Sequence, residues 1–94
     1  MRLSKDEIQT LKKCIVKHAA DARVYLFGSR LDDSRAGGDI DLLVLTQYAD
    51  LKTKLLIRTE FFKQMEDQKI DLILSEDPPQ KAFVQHVLGR AVQL

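Results

Sequence analysis

Three aspartates and a glycine–serine pair carry the most chemical information in this sequence. Gly28 and Ser29 end a short apolar segment, Asp39 and Asp41 follow after a polar stretch, and Asp71 interrupts a later apolar segment. Glycine lets a backbone approach a phosphate closely, and serine adds a hydroxyl and an amide donor. Paired carboxylates beside such a turn are what magnesium-assisted phosphoryl transfer requires.

The apolar segments around these residues have the composition of β-strands. They cover residues 23–27, 40–46 and 69–74. Side chains two apart on a strand face the same way, so we expect Asp39 and Asp41 to converge on one face. If the second and third strands are neighbours, Asp71 meets them at the same edge of the sheet. A carboxylate in an otherwise buried strand is costly unless it is paired or bound to a cation.

Helical patterns surround the strands. Ser4 and Glu7 form a capping box for a first helix that should reach about residues 18–20. Asp50 is the expected N-cap of a second helix through about Asp67, and a third helix is expected from Gln80 to about Val92. The residues expected to be buried in the second and third helices are Leu51, Leu55, Phe62, Met65, Phe83, Val84, Val87, Leu88 and Ala91.

This element order predicts the fold class and the domain organisation. Helix, strand, strand, helix, strand, helix corresponds to an α/β domain in which a small mixed sheet is packed with helices. We expect one domain over residues 1–94, because a chain of 94 residues is the size of a single small core. The polar segment 30–38 is expected to be a loop or the start of a short irregular helix.

Composition excludes several classes of function. The net charge of +1 gives no sign of a large nucleic-acid footprint or of an anionic membrane surface as partner. The single cysteine, Cys14, allows no internal disulfide, which suits a reducing cytosol. No apolar run approaches the roughly 18 residues of a membrane span, and the N-terminus lacks a signal-peptide pattern. We therefore expect a cytoplasmic protein that binds no membrane.

As a set, these motifs resemble the DNA polymerase β-like nucleotidyltransferases, and most of all their minimal branch, the MNT (minimal nucleotidyltransferase) domains. The matching segments are residues 26–30 (LFGSR), 39–44 (DIDLLV) and 70–73 (IDLI). The first and last helices also fall where that fold has them, so the resemblance covers most of the chain. It implies the nucleotidyltransferase fold and a single minimal domain.

The resemblance also implies a role for each motif residue. Gly28 and Ser29 would bind the nucleotide, with Arg30 beside them to neutralise charge on the triphosphate. Asp39 and Asp41 would hold magnesium ions, two Mg²⁺ being expected. Asp71 would be the third catalytic carboxylate, sharing a metal or accepting a hydroxyl proton. ATP is the expected substrate.

MNT domains are commonly partnered by helical HEPN-domain proteins in toxin–antitoxin pairs, in which the HEPN protein is an RNase toxin. The resemblance therefore implies transfer of AMP from ATP to a tyrosine of such a partner within a hetero-oligomer, which silences the toxin. Larger relatives add a helical domain for the acceptor, and none is expected within these residues.

Two other functions stay open from the sequence. A catalytically inactive antitoxin would neutralise its partner by occlusion, and a third class would modify a small molecule. The structural alternative for Asp71 is a buried acid paired with Arg23 or Lys69. For Gly28 and Ser29 it is an ordinary turn.

Overall fold

A computed structural model describes residues 3–31 and 39–94 of the chain. Most of the polar loop expected at 30–38 lies outside these residues. The elements are α1 (Lys5–Val16), β1 (Arg23–Phe27), a 3₁₀ turn (Gly28–Leu31), β2 (Ile40–Leu45), α2 (Leu51–Gln64), β3 (Ile70–Ser75), α3 (Ala82–Arg90) and β4 (Val92–Gln93). Over the described residues this is an α/β fold with a mixed sheet, as predicted.

The sheet has the strand order β3-β2-β1-β4. The β1–β2 and β1–β4 pairs are antiparallel, whereas β2 and β3 run parallel with α2 as the connection between them. The end of β1 and the beginnings of β2 and β3 therefore meet at one edge of the sheet. The motifs singled out in the sequence lie at this edge.

Helices cover both faces of the sheet. One face carries the even-numbered side chains of β2, which pack against α1 and α2 around Leu11, Ile15, Ile57 and Phe61. The other face carries Leu43 and Leu45, which pack with Tyr25 against Val84 and Val87 of α3. Burial on both faces explains why β2 is an almost continuous apolar run.

Local capping signals in the sequence predicted the starts of α1 and α2 correctly. The capping box of Ser4 and Glu7 is present, and the Asp50 carboxylate accepts a hydrogen bond from the Thr53 amide at 2.8 Å. The first helix ends at Val16, earlier than expected, and α2 ends at Gln64 rather than near Asp67. Helix C-termini had no glycine or proline signal here, so the periodic pattern overran them.

The predicted buried face of the second helix is wrong. The side chains that α2 buries are those of Thr53, Ile57, Glu60 and Phe61. Of the expected set, Leu51, Leu55 and Phe62 are exposed, and only Met65 packs against the core. The core lies on the side of α2 that carries a threonine and a glutamate. The prediction was based on polarity alone and therefore chose the opposite, more apolar side.

The end of the chain also differs from the prediction. Helix α3 stops at Arg90, and Val92–Gln93 form the short strand β4 beside β1. Val84 and Val87 are buried as expected, but Phe83 is 65% exposed. In the part of the chain that the structure describes, no helix has the length and apolar character needed to cross a membrane.

Candidate functional site

Gly28 follows β1 directly and has a backbone conformation that suits glycine. Its φ is +78°, in the left-handed region that side chains with a Cβ rarely adopt. A Cβ at this position would overlap the Oδ2 carboxylate oxygen of Asp41. The backbone at Gly28 therefore lies directly against the Asp41 side chain, and the turn that begins there is held beside a carboxylate.

Asp41 and Asp71 are cross-strand neighbours. They are register partners in the parallel pair of β2 and β3, and strands in such a pair lie about 4.8 Å apart. On the other side, Asp41 opposes Phe27, the last residue of β1. By strand alternation both carboxylates lie on the face that α3 packs on. The neighbouring strands that this site requires are thus present.

Asp39 stands directly before β2 and is linked to β3 by an ion pair. Its Oδ2 lies 3.5 Å from Nζ of Lys69, the residue directly before β3. The Asp39 side chain is 42% exposed, so this pair is open to water and contributes little to stability. Lys69 therefore places an exposed ammonium group beside the carboxylates.

Burial and the neighbouring carboxylates shift the pKa of Asp41. The pKa of Asp41 is raised above its ordinary value by its burial first, then by the negative charge of Asp71 and a hydrogen bond to it, and then by the charge of Asp39. The Lys69 ammonium opposes this rise. At neutral pH the edge therefore concentrates negative charge that the protein itself compensates only in part.

The opposite edge of the sheet is different. There the Asp21 carboxylate accepts hydrogen bonds from the Thr46 hydroxyl and the Gln47 amide, which lower its pKa, the hydroxyl bond most. Asp77 binds Arg23 through two hydrogen bonds of 2.7 and 3.0 Å. Acids at that edge are satisfied by other groups of the fold, whereas Asp41 lies among other carboxylates that raise its pKa. This contrast makes the Asp41 edge the candidate site.

Arg30 extends the site from the 3₁₀ turn towards the turn before β3. One of its guanidinium nitrogens donates a hydrogen bond to the Gln68 side-chain oxygen at 3.3 Å. The residue directly after Gln68 is Lys69, so the hydrogen bond brings Arg30 to the segment that carries the Lys69 cation. This connection fixes the glycine–serine turn relative to the start of β3.

The structure therefore brings together most of the residues singled out in the sequence. Gly28 contacts Asp41, Asp71 is its strand neighbour, and Asp39 is close enough to affect its pKa. The two cations considered as structural partners for Asp71 have other carboxylate partners among the described residues, since Arg23 pairs with Asp77 and Lys69 with Asp39.

The sequence predicted no role for Gln68 at this edge, and it offered Lys69 only as an alternative partner of Asp71, whereas Lys69 pairs with Asp39. The available signal was the position of Lys69. It lies two residues before Asp71, as Asp39 lies two residues before Asp41, so parallel register places the pairs Asp39–Lys69 and Asp41–Asp71 side by side.

The donor set suits a hard divalent cation such as Mg²⁺, which prefers carboxylate oxygens. Asp41, with Asp71 beside it, carries the charge that such an ion would neutralise. Within residues 3–31 and 39–94, no group of three or more His, Cys, Asp or Glu side chains is arranged to hold a metal ion as it stands. Binding through all three aspartates therefore requires a side-chain rearrangement.

One family model matches the part of the chain that contains the whole candidate site. The family model described as "Polymerase beta, Nucleotidyltransferase" matches residues 9–94, most of the chain. No curated protein matches the chain significantly. The matched range includes the glycine–serine turn, β2 and β3, and so every residue placed at this edge of the sheet.

Proposed function

Because the chain belongs to the polymerase β nucleotidyltransferase family, we propose that it transfers a nucleotidyl group from a nucleoside triphosphate to a hydroxyl acceptor at the Asp41 edge of the sheet. The observation that carries the proposal is the register of Asp41 with Asp71 beside the Gly28 turn. It combines crowded carboxylates with a backbone that a phosphate can approach.

Each residue has a separate task in this proposal. The backbone amides at Gly28 and Ser29 bind the β- and γ-phosphates, and Arg30 neutralises triphosphate charge while Gln68 orients it. Asp39 and Asp41, with Asp71, would hold Mg²⁺. Bound there, the metal would supply electrostatic stabilisation of charge on the reacting phosphate oxygens.

The reaction then proceeds by one displacement at the α-phosphorus. A bond forms between the acceptor oxygen and the α-phosphorus, and the bond from the α-phosphorus to the bridging oxygen breaks. Pyrophosphate leaves with that electron pair. Asp71 accepts the acceptor's hydroxyl proton, a task that suits it because it is exposed while Asp41 is half-buried.

We propose further that the nucleotide is ATP and the acceptor a tyrosine of a HEPN-type RNase toxin, so that the chain acts as an antitoxin that transfers AMP. The support is the resemblance of the three motif segments to MNT domains. The net charge of +1 also favours a protein acceptor over a nucleic acid.

The test combines the purified chain with its HEPN partner, Mg²⁺ and ATP, and follows the partner by intact-mass spectrometry. We expect a mass increase equal to AMP that requires Mg²⁺. The variant Asp39→Asn with Asp41→Asn should abolish it. The matched control is Asp6→Asn with Glu66→Gln, which makes the same charge change at exposed positions away from the strands.

Two results would contradict the proposal. If the mass of the partner is unchanged in the presence of the wild-type chain, the proposed transfer to a protein is wrong. Full neutralisation of the toxin by the Asp39→Asn, Asp41→Asn variant would replace catalysis with occlusion as the mode of action.

A further inference from the structure

The outward side of α2 exposes large apolar side chains. Leu51 is 70% exposed, Leu55 52%, Leu56 40% and Phe62 74%. With Lys52, Arg58, Thr59 and Lys63 they form what we call the α2 outer face. The residues Leu51, Lys52, Leu55, Leu56 and Thr59 line a shallow groove on it.

This face differs from the exposed side of an ordinary surface helix. Such a helix has one apolar stripe towards the core and polar residues opposite. The inner side of α2 already buries Ile57 and Phe61 in the core. The second apolar side therefore makes no contribution to this core. A helix that is apolar on both sides is usually buried on both sides.

The charges on the outer face have a single sign. Lys52, Arg58 and Lys63 are exposed there. The one acid of α2, Glu60, is turned inwards and accepts a hydrogen bond from Lys17 Nζ at 3.0 Å. Glu60 therefore lies away from the outer face, although its charge acts on Lys63. The apolar strip is flanked by basic residues along its length, and the exposed acids Asp50 and Glu66 lie beyond its two ends.

From this combination we propose that the α2 outer face docks an amphipathic helix of a partner protein whose apolar stripe is flanked by Asp and Glu. The partner's leucine-type side chains would enter the groove at Leu51 and Leu55, and its acids would face Arg58 and the two lysines. The 14 residues of α2 span about 21 Å, which matches about four turns of a partner helix.

Two other occupants fit the charges less well. A second copy docked by twofold symmetry would set each basic face against itself, which is repulsive. An anionic membrane would also meet Glu66, which lines the same recess as Phe62 beyond the end of α2. A partner helix can place a neutral or basic side chain opposite Glu66, whereas an anionic membrane surface cannot.

The inference does not depend on nucleotidyl transfer, because no residue of the carboxylate edge lies on α2. The test is an NMR titration of the ¹⁵N-labelled chain with a synthetic amphipathic peptide that has leucines along one stripe and glutamates beside it. The control peptide replaces each glutamate by lysine. We expect shift changes confined to residues 51–63 with the acidic peptide alone.

Variants sharpen the test. Phe62→Gln should weaken binding of the acidic peptide about ten-fold, as expected for a large apolar contact residue. Arg58→Glu should weaken it similarly and reduce its salt dependence. The matched control is Phe83→Gln, which removes an equally exposed phenylalanine from α3 and should leave the affinity unchanged. Both phenylalanines are exposed, so the fold should survive either change.

Several outcomes overturn the proposal. Equal binding of both peptides would show that the acidic residues of the partner are not required. Shift changes outside residues 51–63 would show that the peptide binds a different surface. Co-sedimentation with phosphatidylglycerol vesicles that Phe62→Gln abolishes, without binding of the acidic peptide, would assign the face to a membrane. Concentration-dependent dimerisation that the same variant abolishes would assign it to a second copy. None of these results bears on AMP transfer.

Discussion

The backbone of Gly28 and the carboxylate of Asp41 lie so close that no side chain fits between them. A Cβ at Gly28 would overlap Asp41 Oδ2, and the φ of +78° is itself unfavourable for other residues. Glycine at position 28 is thus required by the neighbouring acid as well as by its own backbone conformation. The two motifs separated in sequence by the polar loop form one structural unit.

We expect Gly28→Ala to damage both the turn and the carboxylate position. The left-handed backbone costs about 1–2 kcal/mol with a Cβ, and the overlap adds to it or displaces Asp41. Urea denaturation should show reduced stability, and calorimetry should show loss of Mg²⁺-dependent ATP binding. The control is Gly89→Ala in α3, where a Cβ meets nothing within 4 Å. Unchanged ATP binding by Gly28→Ala would contradict the predicted contact.

Neutralising Asp41 should stabilise the metal-free chain. A raised pKa means that the fold favours the protonated carboxyl, so its contribution to stability is present in acid and is lost as pH rises through the folded-state pKa. Asparagine carries no charge at any pH. Asp41→Asn should therefore raise the midpoint of thermal unfolding at neutral pH, with the difference from wild type shrinking in acid.

The measurement is thermal unfolding from acid to neutral pH in the presence of a chelator. Asp21→Asn should shift the unfolding midpoint in the opposite direction, because the pKa of Asp21 is lowered by its hydrogen bonds with Thr46 and Gln47. Its charged form stabilises the fold above the ordinary pKa, so this variant should lose stability at neutral pH. A shift of the unfolding midpoint in the same direction for both variants would be inconsistent with the described electrostatics.

Lys69 should compete with metal ions for the carboxylates. Its ammonium group pairs with Asp39 and lowers the pKa of Asp41, as a bound cation would. We expect Lys69→Met to bind Mg²⁺ alone a few-fold more tightly, because about 1 kcal/mol or less is gained by removing an exposed ion pair. Mg²⁺ titration followed by NMR at Asp39 and Asp41 measures this effect. Lys52→Met on α2 is the matched control, and weaker Mg²⁺ binding by Lys69→Met would refute the competition.

The sequence was most informative where a local rule decides the structure. The bounds of β1 and the N-caps Ser4 and Asp50 follow from short-range chemistry, and the structure reproduces them. The proximity of the three acids required one further fact, the parallel pairing of β2 with β3. That pairing depends on the whole fold, and the motif resemblance, rather than the spacing of residues, supplied it.

Two errors have a common physical origin in long-range packing. β4 is only two residues long and exists because it pairs with β1 from the far end of the chain. The buried side of α2 was assigned from its apolar content, yet Thr53 and Glu60 lie on the side that meets the core. Glu60 is accommodated there by Lys17, the residue directly after α1, a contact that the sequence of α2 alone does not reveal.

The two sides of α2 should therefore respond differently to the same kind of truncation. Ile57 is fully buried and belongs to the core cluster, whereas Leu55 is half-exposed on the outer face. We expect Ile57→Ala to lower the free energy of unfolding by about 2–5 kcal/mol and Leu55→Ala to change it by about 0.5 kcal/mol or less. Urea denaturation of the isolated chain measures both. Comparable losses for the two variants would mean that the outer face is already covered, either within the chain or by a second copy, and would remove the basis for docking a partner helix there.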